Sequence, residues 1–282
     1  MNAKNRLVWF ITGTSQGFGF ELARATLKRG DSVIATSRTP EKVTASFKDS
    51  ADRLLALPMD LDNAKQIAAA VEAGIKRFGR IDVLVNNAGY GLIGAVEEAS
   101  DDEIAKVMGA NVFGLIRVTQ AVLPHLRQRR TGHIVNLSSI GGLVGFAGFG
   151  IYNATKFAVE GLSEALAAEV APLGIGLTLI EPGPFRTDFL ASSLRAAAKI
   201  IPDYETTSGQ TRANSVIRNG KQQGDPVRAA EAIIAAVTAE KPPLHLILGQ
   251  YAFDRATEKL DKLRKDMDTW REVTFGADFK TP

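Results

Sequence analysis

The chain has 282 residues, 45% of them apolar, enough for one large buried core in one or two domains. Its 34 basic and 31 acidic residues are mixed along the chain and leave a net charge of +3, so no basic stripe marks a nucleic-acid partner. The absence of cysteine excludes disulfides, thiolate metal sites and a cysteine nucleophile.

Leu7–Ile11 reads as a buried strand that runs into a Gly-rich turn, Thr12-Gly13-Thr14-Ser15-Gln16-Gly17-Phe18-Gly19. The turn opens a helix over Phe18–Arg29. Further strands read at Ser32–Ser37, Leu54–Leu57, Val83–Asn86, His133–Leu137, Gly176–Ile180 and His245–Leu248. Helical patterns lie at Asn63–Phe78, Asp101–Arg129, Tyr152–Leu173 and Pro226–Ala239. Several strands are continuous apolar runs, as in sheets covered on both faces. This order predicts an α/β fold: a single domain over 1–282 with a doubly wound parallel sheet and helices on both faces.

Two regions break the alternation. Residues 188–224 mix apolar residues with Gly, Ser, Thr and Asn, and read as a substrate lid in preference to a disordered loop. In 251–272, Phe253, Ala256, Leu260, Leu263, Met267 and Trp270 recur at three-four spacing and predict one amphipathic helix. Packing on the body is the favoured reading of that helix, and a subunit contact the alternative.

No apolar run reaches the ~18 residues a membrane span needs. Residues 1–6 lead straight into a strand and leave no room for a signal peptide, so a soluble, cytoplasmic protein is expected. His125, His133 and His245 match no metal-ligand spacing, so each is expected to be structural and no metal is expected.

The glycine turn is suited to a dinucleotide. Gly13, Gly17 and Gly19 allow a tight turn and a close approach of backbone to a pyrophosphate, and the helix that follows offers free amides at the positive end of its dipole. Ser15, Gln16 and Phe18 belong to the same turn. The second strand ends in Ala35-Thr36-Ser37-Arg38, with no acid to hold a ribose 2′-hydroxyl. A guanidinium pairs with a 2′-phosphate, worth about 1.5–3 kcal/mol as a charged hydrogen bond. Ser37 and Arg38 therefore predict NADP(H) in preference to NAD(H), with a solvated Arg38 as the alternative. Asp60 and Leu61 follow the third strand near the expected adenine position, although a loop Asp also serves as a turn cap. Asn87, Ala88 and Gly89 follow the fourth strand, at the carboxyl edge where ligands bind in such sheets.

Ser139 ends the fifth strand. Tyr152 and Lys156 lie four apart on the next helix and share a face. A tyrosine near its reference pKa of about 10 is a poor base at neutral pH. A nearby ammonium and an oxidised nicotinamide favour the phenolate and lower that value. Ser139 can donate to a substrate oxygen, and Lys156 can also hydrogen-bond the nicotinamide ribose. Gly91, Phe146, Phe149, Phe185, Phe189 and Leu190 are expected around an apolar substrate, with core packing as the alternative for each phenylalanine.

Together, T-G-x-x-x-G-x-G at 12–19, Asn86-Asn87-Ala88-Gly89, Asn111, Ser139, Tyr152, Lys156 and the Pro182-Gly183 turn ending in Thr187 resemble the short-chain dehydrogenase/reductase family, in its single-domain branch. The resemblance implies a Rossmann-type fold and a catalytic tetrad of Asn111, Ser139, Tyr152 and Lys156, with Asn111 holding a water that links Lys156 to solvent. It also implies that Asn87 and Gly89 support the adenine side, that Pro182, Gly183 and Thr187 line the nicotinamide, and that the protein is a homo-oligomer (dimer or tetramer) joined through helices 101–129 and 152–173. Ser139–Gly145, Lys156–Leu162, Gly183-Pro184 and Ala35–Arg38 are similar to the 17β-hydroxysteroid dehydrogenase type 1 and retinol dehydrogenase group, which favours bulky apolar ketones, aldehydes and alcohols.

These residues predict an NADP(H)-dependent oxidoreductase that interconverts a carbonyl and an alcohol, with Tyr152 as general acid/base. A non-catalytic dinucleotide-binding regulator is the alternative, and such a protein is expected to have lost Tyr152 or Lys156. An epimerase or dehydratase ranks last, because those relatives carry differently spaced glycines and a larger second domain.

Overall fold

The computed structural model describes residues 6–279. In chain order the regular elements begin with β1 (Val8–Thr12), α1 (Gly17–Arg29), β2 (Ser32–Ser37), α2 (Pro40–Ser46), β3 (Leu54–Pro58) and α3 (Ala64–Phe78). Then come β4 (Val83–Asn86), β5 (Gly91–Ile93), α4 (Asp101–Met108), α5 (Leu115–Arg129), β6 (Gly132–Leu137), α6 (Gly150–Val170) and β7 (Ile175–Pro182). The last are β8 (Leu194–Ala196), α7 (Gln210–Arg218), α8 (Pro226–Val237), β9 (His245–Leu248), α9 (Gln250–Thr269) and α10 (Arg271–Phe275).

Seven strands form one sheet in the order β3-β2-β1-β4-β6-β7-β9, every neighbouring pair parallel. Side chains alternate across it. On β1, Phe10 faces a core shared with α3, α5 and α6, while Trp9 and Ile11 face one shared with α1 and α8. The expected single-domain doubly wound fold is therefore observed, with all strands ending at one edge.

Helix boundaries follow local chemistry. Asn63 caps α3 by accepting from the amides of Lys65 and Gln66, and Gly79 ends it at φ +76°. Ser100 and Glu103 form a reciprocal capping box on α4.

The expected helix 101–129 is continuous but carries a π-turn at Gly109–Gly114. It contains an 18-residue window of mean hydropathy 1.3, long and apolar enough to cross a membrane by composition, which counting uninterrupted apolar runs did not show. In this fold Leu115, Val118, Val122 and Leu126 bury that face against the sheet.

Segment 188–224 differs from the irregular insertion that was expected. It contains α7 and β8, and β8 pairs in parallel with β5. The buried carboxylate of Glu98 accepts from Ala95 N, Ile201 N and the Arg212 guanidinium at 2.7, 2.9 and 2.7 Å. Backbone donation from Ile201 is the main reason that its pKa lies below the usual range.

Only the root of α9 packs on the body, where Ala252 and Ala256 meet Ile140 and Val144. Phe253, Leu260, Leu263, Met267 and Trp270 are exposed, so the favoured reading of the tail as packed on the body fails beyond its second turn. The amphipathic pattern set the helix but could not say what covers its apolar face.

Candidate active site

Ser37 ends β2, and the glycine turn, Asn87, Ser139 and Gly183 follow β1, β4, β6 and β7, so they gather at one edge of the sheet. Gly13 and Gly17 adopt φ of +71° and +62°, a region that disfavours side chains. A Cβ on Gly13 would lie 2.9 Å from Ala88 Cα, and one on Gly19 would collide with Asn87 Nδ2 and the Gly13 carbonyl. The loops after β1 and β4 can touch only because these residues are glycine.

Thr12 Oγ1 accepts from the amides of Asn87 and Ala88, both at 3.0 Å. Asn87 Nδ2 donates to the carbonyls of Thr12 and Gly13 at 2.8 and 3.0 Å. Thr12 thus joins the expected set as a positioning residue; its only sequence signal was its place directly before the turn. Gly89 is close-packed too, since a Cβ there would lie 2.9 Å from Asn111 Oδ1.

Gln16 provides α1 with no side-chain cap, so the first amides of α1 and its dipole remain available. A bare glycine backbone beside uncapped amides fits a pyrophosphate. Ser15, Gly17 and Phe18 line this turn, and Gln16 Nε2 donates to the hydroxyls of Ser192 and Ser193 at 2.9 and 3.0 Å. Ser37 Oγ accepts from Thr39 N at 3.0 Å, and Arg38 beside it is exposed. The Asp60 carboxylate accepts from Asp62 N at 3.0 Å, the turn-cap alternative, while Leu61 fills the space left by Gly114. Pro182 ends β7, Gly183 N donates to the Leu248 carbonyl at 3.0 Å, and Thr187 faces Gly17.

Tyr152 and Lys156 are both buried on α6. Lys156 Nζ donates to the Leu137 carbonyl at 2.6 Å and lies 5.9 Å from the centre of the Tyr152 ring. Burial pushes the Tyr152 phenol up to about 12, against an opposing hydrogen bond with Ser139. Burial also pushes the Lys156 ammonium down to about 8, against the charge of Glu160. The expected lowering of the Tyr152 pKa by Lys156 is therefore not what this geometry gives. Nζ is turned to a carbonyl of β6, and desolvation of the phenolate dominates.

Asn111 sits in the π-turn. Its Oδ1 accepts from Tyr90 N at 2.9 Å, and its Nδ2 donates to Tyr90 O at 2.8 Å and Thr155 Oγ1 at 3.1 Å. The carboxamide thus ties the loop after β4 to α6 one residue before Lys156.

Phe149 and Phe189 flank Tyr152, with ring centres at 6.0 and 5.7 Å. Gly91 opposes Phe189, for a Cβ there would lie 2.8 Å from Phe189 Cζ and 2.7 Å from Leu194 Cδ1. Leu194 was not among the expected pocket residues, because its place depends on the β5–β8 pairing. Two expected pocket residues lie elsewhere. Phe185 packs on Phe18 at 5.2 Å and against Gly224, toward α1 and α8. Phe146 packs with Ile140, Val144 and the root of α9, under the Arg255 guanidinium. Both take the core-packing alternative. Leu190 is half-buried beside Phe189.

The histidines are more varied than expected. His133 is buried against Thr178 Oγ1 at 2.9 Å, and burial holds its pKa down to about 4. His125 accepts from Ile81 N at 3.2 Å. His245 meets Glu160 and Glu181, the ligand atoms of the three lying within 4.8 Å of one another. The three come from separate elements, 21 and 64 residues apart in the chain, and no local spacing shows that they meet.

A family model described as short chain dehydrogenase matches residues 7–198. The chain belongs to the short-chain dehydrogenase family. Among these enzymes it is 38% identical to oxidoreductase BOA17 of Botryotinia fuckeliana over 271 residues, covering 96% of this chain and 98% of that one. It is 38% identical to 3-ketodihydrosphingosine reductase of Bacteroides thetaiotaomicron over 234 residues (83% and 84%). It is 35% identical to human 17-beta-hydroxysteroid dehydrogenase type 1 over 256 residues (85% and 76%). The crystal structure of a short-chain dehydrogenase from Streptomyces avermitilis matches with a TM-score of 0.92 and 42% identity, covering 98% of this chain and 100% of that one. A 3-ketoacyl-(acyl-carrier-protein) reductase from Brucella melitensis complexed with NADH matches at 0.73 and 27% identity, and ElxO with NADP bound at 0.71 and 28%, each covering 86% of this chain and 96% of the other. As a short-chain dehydrogenase the protein is an NAD(P)-dependent oxidoreductase, and its Rossmann-type sheet and glycine turn are the corresponding parts.

Proposed function

We propose that this protein is an NADP(H)-preferring carbonyl reductase and alcohol dehydrogenase for bulky apolar substrates. The carrying observation is the surround of Tyr152: buried, flanked by Phe149 and Phe189, beside Ser139 and one helical turn from Lys156. Exposed Arg38 at the end of β2, with no acid at 36–38, supports the 2′-phosphate form of the cofactor. The steroid and sphingoid-base substrates in the names of two relatives support the apolar class.

The nicotinamide supplies or accepts the hydride. In reduction Tyr152 gives its phenolic proton to the carbonyl oxygen, and in oxidation it takes the proton back. Ser139 Oγ donates to the same oxygen and stabilises the charge that develops there. Lys156, one helical turn further along α6, is placed to hold the nicotinamide ribose by hydrogen bond when the cofactor is bound. Asn111 holds the Tyr90 loop and α6 in register. Segment 188–224 acts as the lid, held across the glycine turn by Gln16 and at its base by Glu98. The exposed apolar face of α9 supports self-association, which sedimentation of the purified chain measures.

The test is NADPH oxidation against a panel of apolar ketones and aldehydes, with Tyr152→Phe as control. Wild-type turnover is expected on bulky members, and the variant should bind NADPH normally with turnover lower by on the order of 10²–10⁴-fold. A variant as active as the wild type refutes the assignment.

A further inference from the structure

Behind the catalytic residues lies a buried group that the mechanism above does not use. Glu160 is on α6, one turn after Lys156. Glu181 is on β7 and His245 on β9. The side chains of Glu160 and Glu181 are 6% and 0% exposed, while His245 is 39% exposed. His245 Nδ1 lies 2.6 Å from Glu181 Oε1 and 3.9 Å from Glu160 Oε2. Glu164 approaches His245 from the solvent side at 3.9 Å.

Four buried oxygens in this group have no hydrogen-bond partner: both of Glu160, Oε2 of Glu181 and Oγ of Ser138. Ser138 Oγ and Glu160 Oε1 face the same point beside Gly142, where a Cβ would lie 2.5 and 2.8 Å from them. Two ionised carboxylates cannot share such a site without compensation. One proton removes the conflict. With Glu160 protonated, its carboxyl would donate to Glu181 and the Ser138 hydroxyl to the other Glu160 oxygen, while His245 Nδ1 donates to Glu181 at 2.6 Å. The short contact to His245 favours the negative charge on Glu181, which leaves the proton with Glu160.

The position ties this group to the reaction. Ser138 lies between Leu137, whose carbonyl takes Lys156 Nζ, and Ser139, the donor to the substrate oxygen. Lys156 is buried, so its ammonium depends on nearby negative charge. Among the titratable side chains around this point, Glu160 and Glu164 lie on α6 with Lys156, Glu181 on β7 and His245 on β9.

We propose that Glu160 and Glu181 share one proton at neutral pH, and that Glu160 is a positioning residue for the reaction, gaining negative charge as the solution becomes alkaline and thereby keeping Lys156 an ammonium. The proposal rests on the catalytic reading of Lys156. Burial raises both carboxyl pKa values and supports it.

The deciding variant is Glu160→Gln, whose amide donates to Glu181 as the protonated acid does but cannot ionise. At about pH 6.5 it should turn over within about twofold of the wild type. Its alkaline limb of kcat should move to lower pH by about one unit, because Lys156 loses its supporting charge. A purely structural role predicts no such movement. Infrared difference spectra of wild type against Glu160→Gln test the proton separately from turnover. A carboxylic-acid band should be present at neutral pH and vanish on alkalinisation. Should Glu160→Gln not fold, His245→Gln serves: with the cation beside Glu181 removed, the acid band should persist to higher pH. Absence of the band, or an unmoved alkaline limb, overturns the proposal. So does a melting temperature that EDTA lowers in the wild type but not in Glu160→Gln, since a bound cation would then hold the pair. Retention of the band in an inactive protein would overturn the catalytic reading of Lys156 while leaving the shared proton intact.

Discussion

Asn111 Nδ2 donates to Thr155 Oγ1 at 3.1 Å, joining the π-turn of the α4–α5 helix to the residue that precedes Lys156. Both residues are buried, so the bond has no competing water. Thr155→Val keeps the shape and removes the acceptor, leaving a donor without its partner. The expected cost is about 1–3 kcal/mol of unfolding free energy. Turnover should fall on the order of tenfold with NADPH affinity unchanged, because the change acts on α6 and not on the glycine turn. Urea unfolding and steady-state kinetics check both; an equal loss of cofactor affinity would contradict the role.

The protonation of Tyr152 gives opposite pH limbs for the two directions. Burial raises the phenol to about 12 in this structure, so the proton donor is present throughout the neutral range. Reduction should hold steady and then decline as alkaline pH removes the phenolic proton, while oxidation should rise over the same range. Single-turnover rates in both directions measure this. Reduction that rises with pH would exclude Tyr152 as the acid.

Arg38→Asp places a negative charge where the 2′-phosphate is expected. NADPH affinity should weaken by on the order of 10- to 100-fold, and NADH affinity should change little. Titration of both cofactors against the variant decides this; equal weakening would remove Arg38 from the phosphate site.

His245 offers a stability signature. Burial lowers its pKa, but the hydrogen bond it donates to Glu181 and the charges of Glu181, Glu160 and Glu164 outweigh that, and the net shift is upward. A raised folded value means that the stabilisation is fully present below the unfolded value of 6.5 and is lost as pH rises through the folded value. His245→Gln should therefore be less stable than the wild type by the widest margin at about pH 6, with the gap closing toward about pH 9. Denaturant midpoints at the two pH values test it. A gap that widens with pH would contradict the charge on His245.

Much of this was legible in the chain. The strand β2, bounded as Ser32–Ser37, and β9, bounded as His245–Leu248, follow from apolar runs between polar breaks. The tyrosine–lysine pair and the glycine turn are local, and local spacing is what a sequence displays. Phe146 and Phe185 misled for the opposite reason: an aromatic beside a site in sequence can turn to either side of the loop that carries it.

The sequence by itself determined the alternation of strands and helices, the glycine turn, and the Ser139, Tyr152 and Lys156 set, because each is written within a few residues or in a period. Tertiary structure alone decided that Thr12 braces the turn, that Leu194 stands against Gly91, that the apolar face of α9 runs past the body, and that Glu160, Glu181 and His245 meet. These depend on packing between elements far apart in the chain, where burial and desolvation set both geometry and charge, and no local pattern records which distant side chain will be the neighbour.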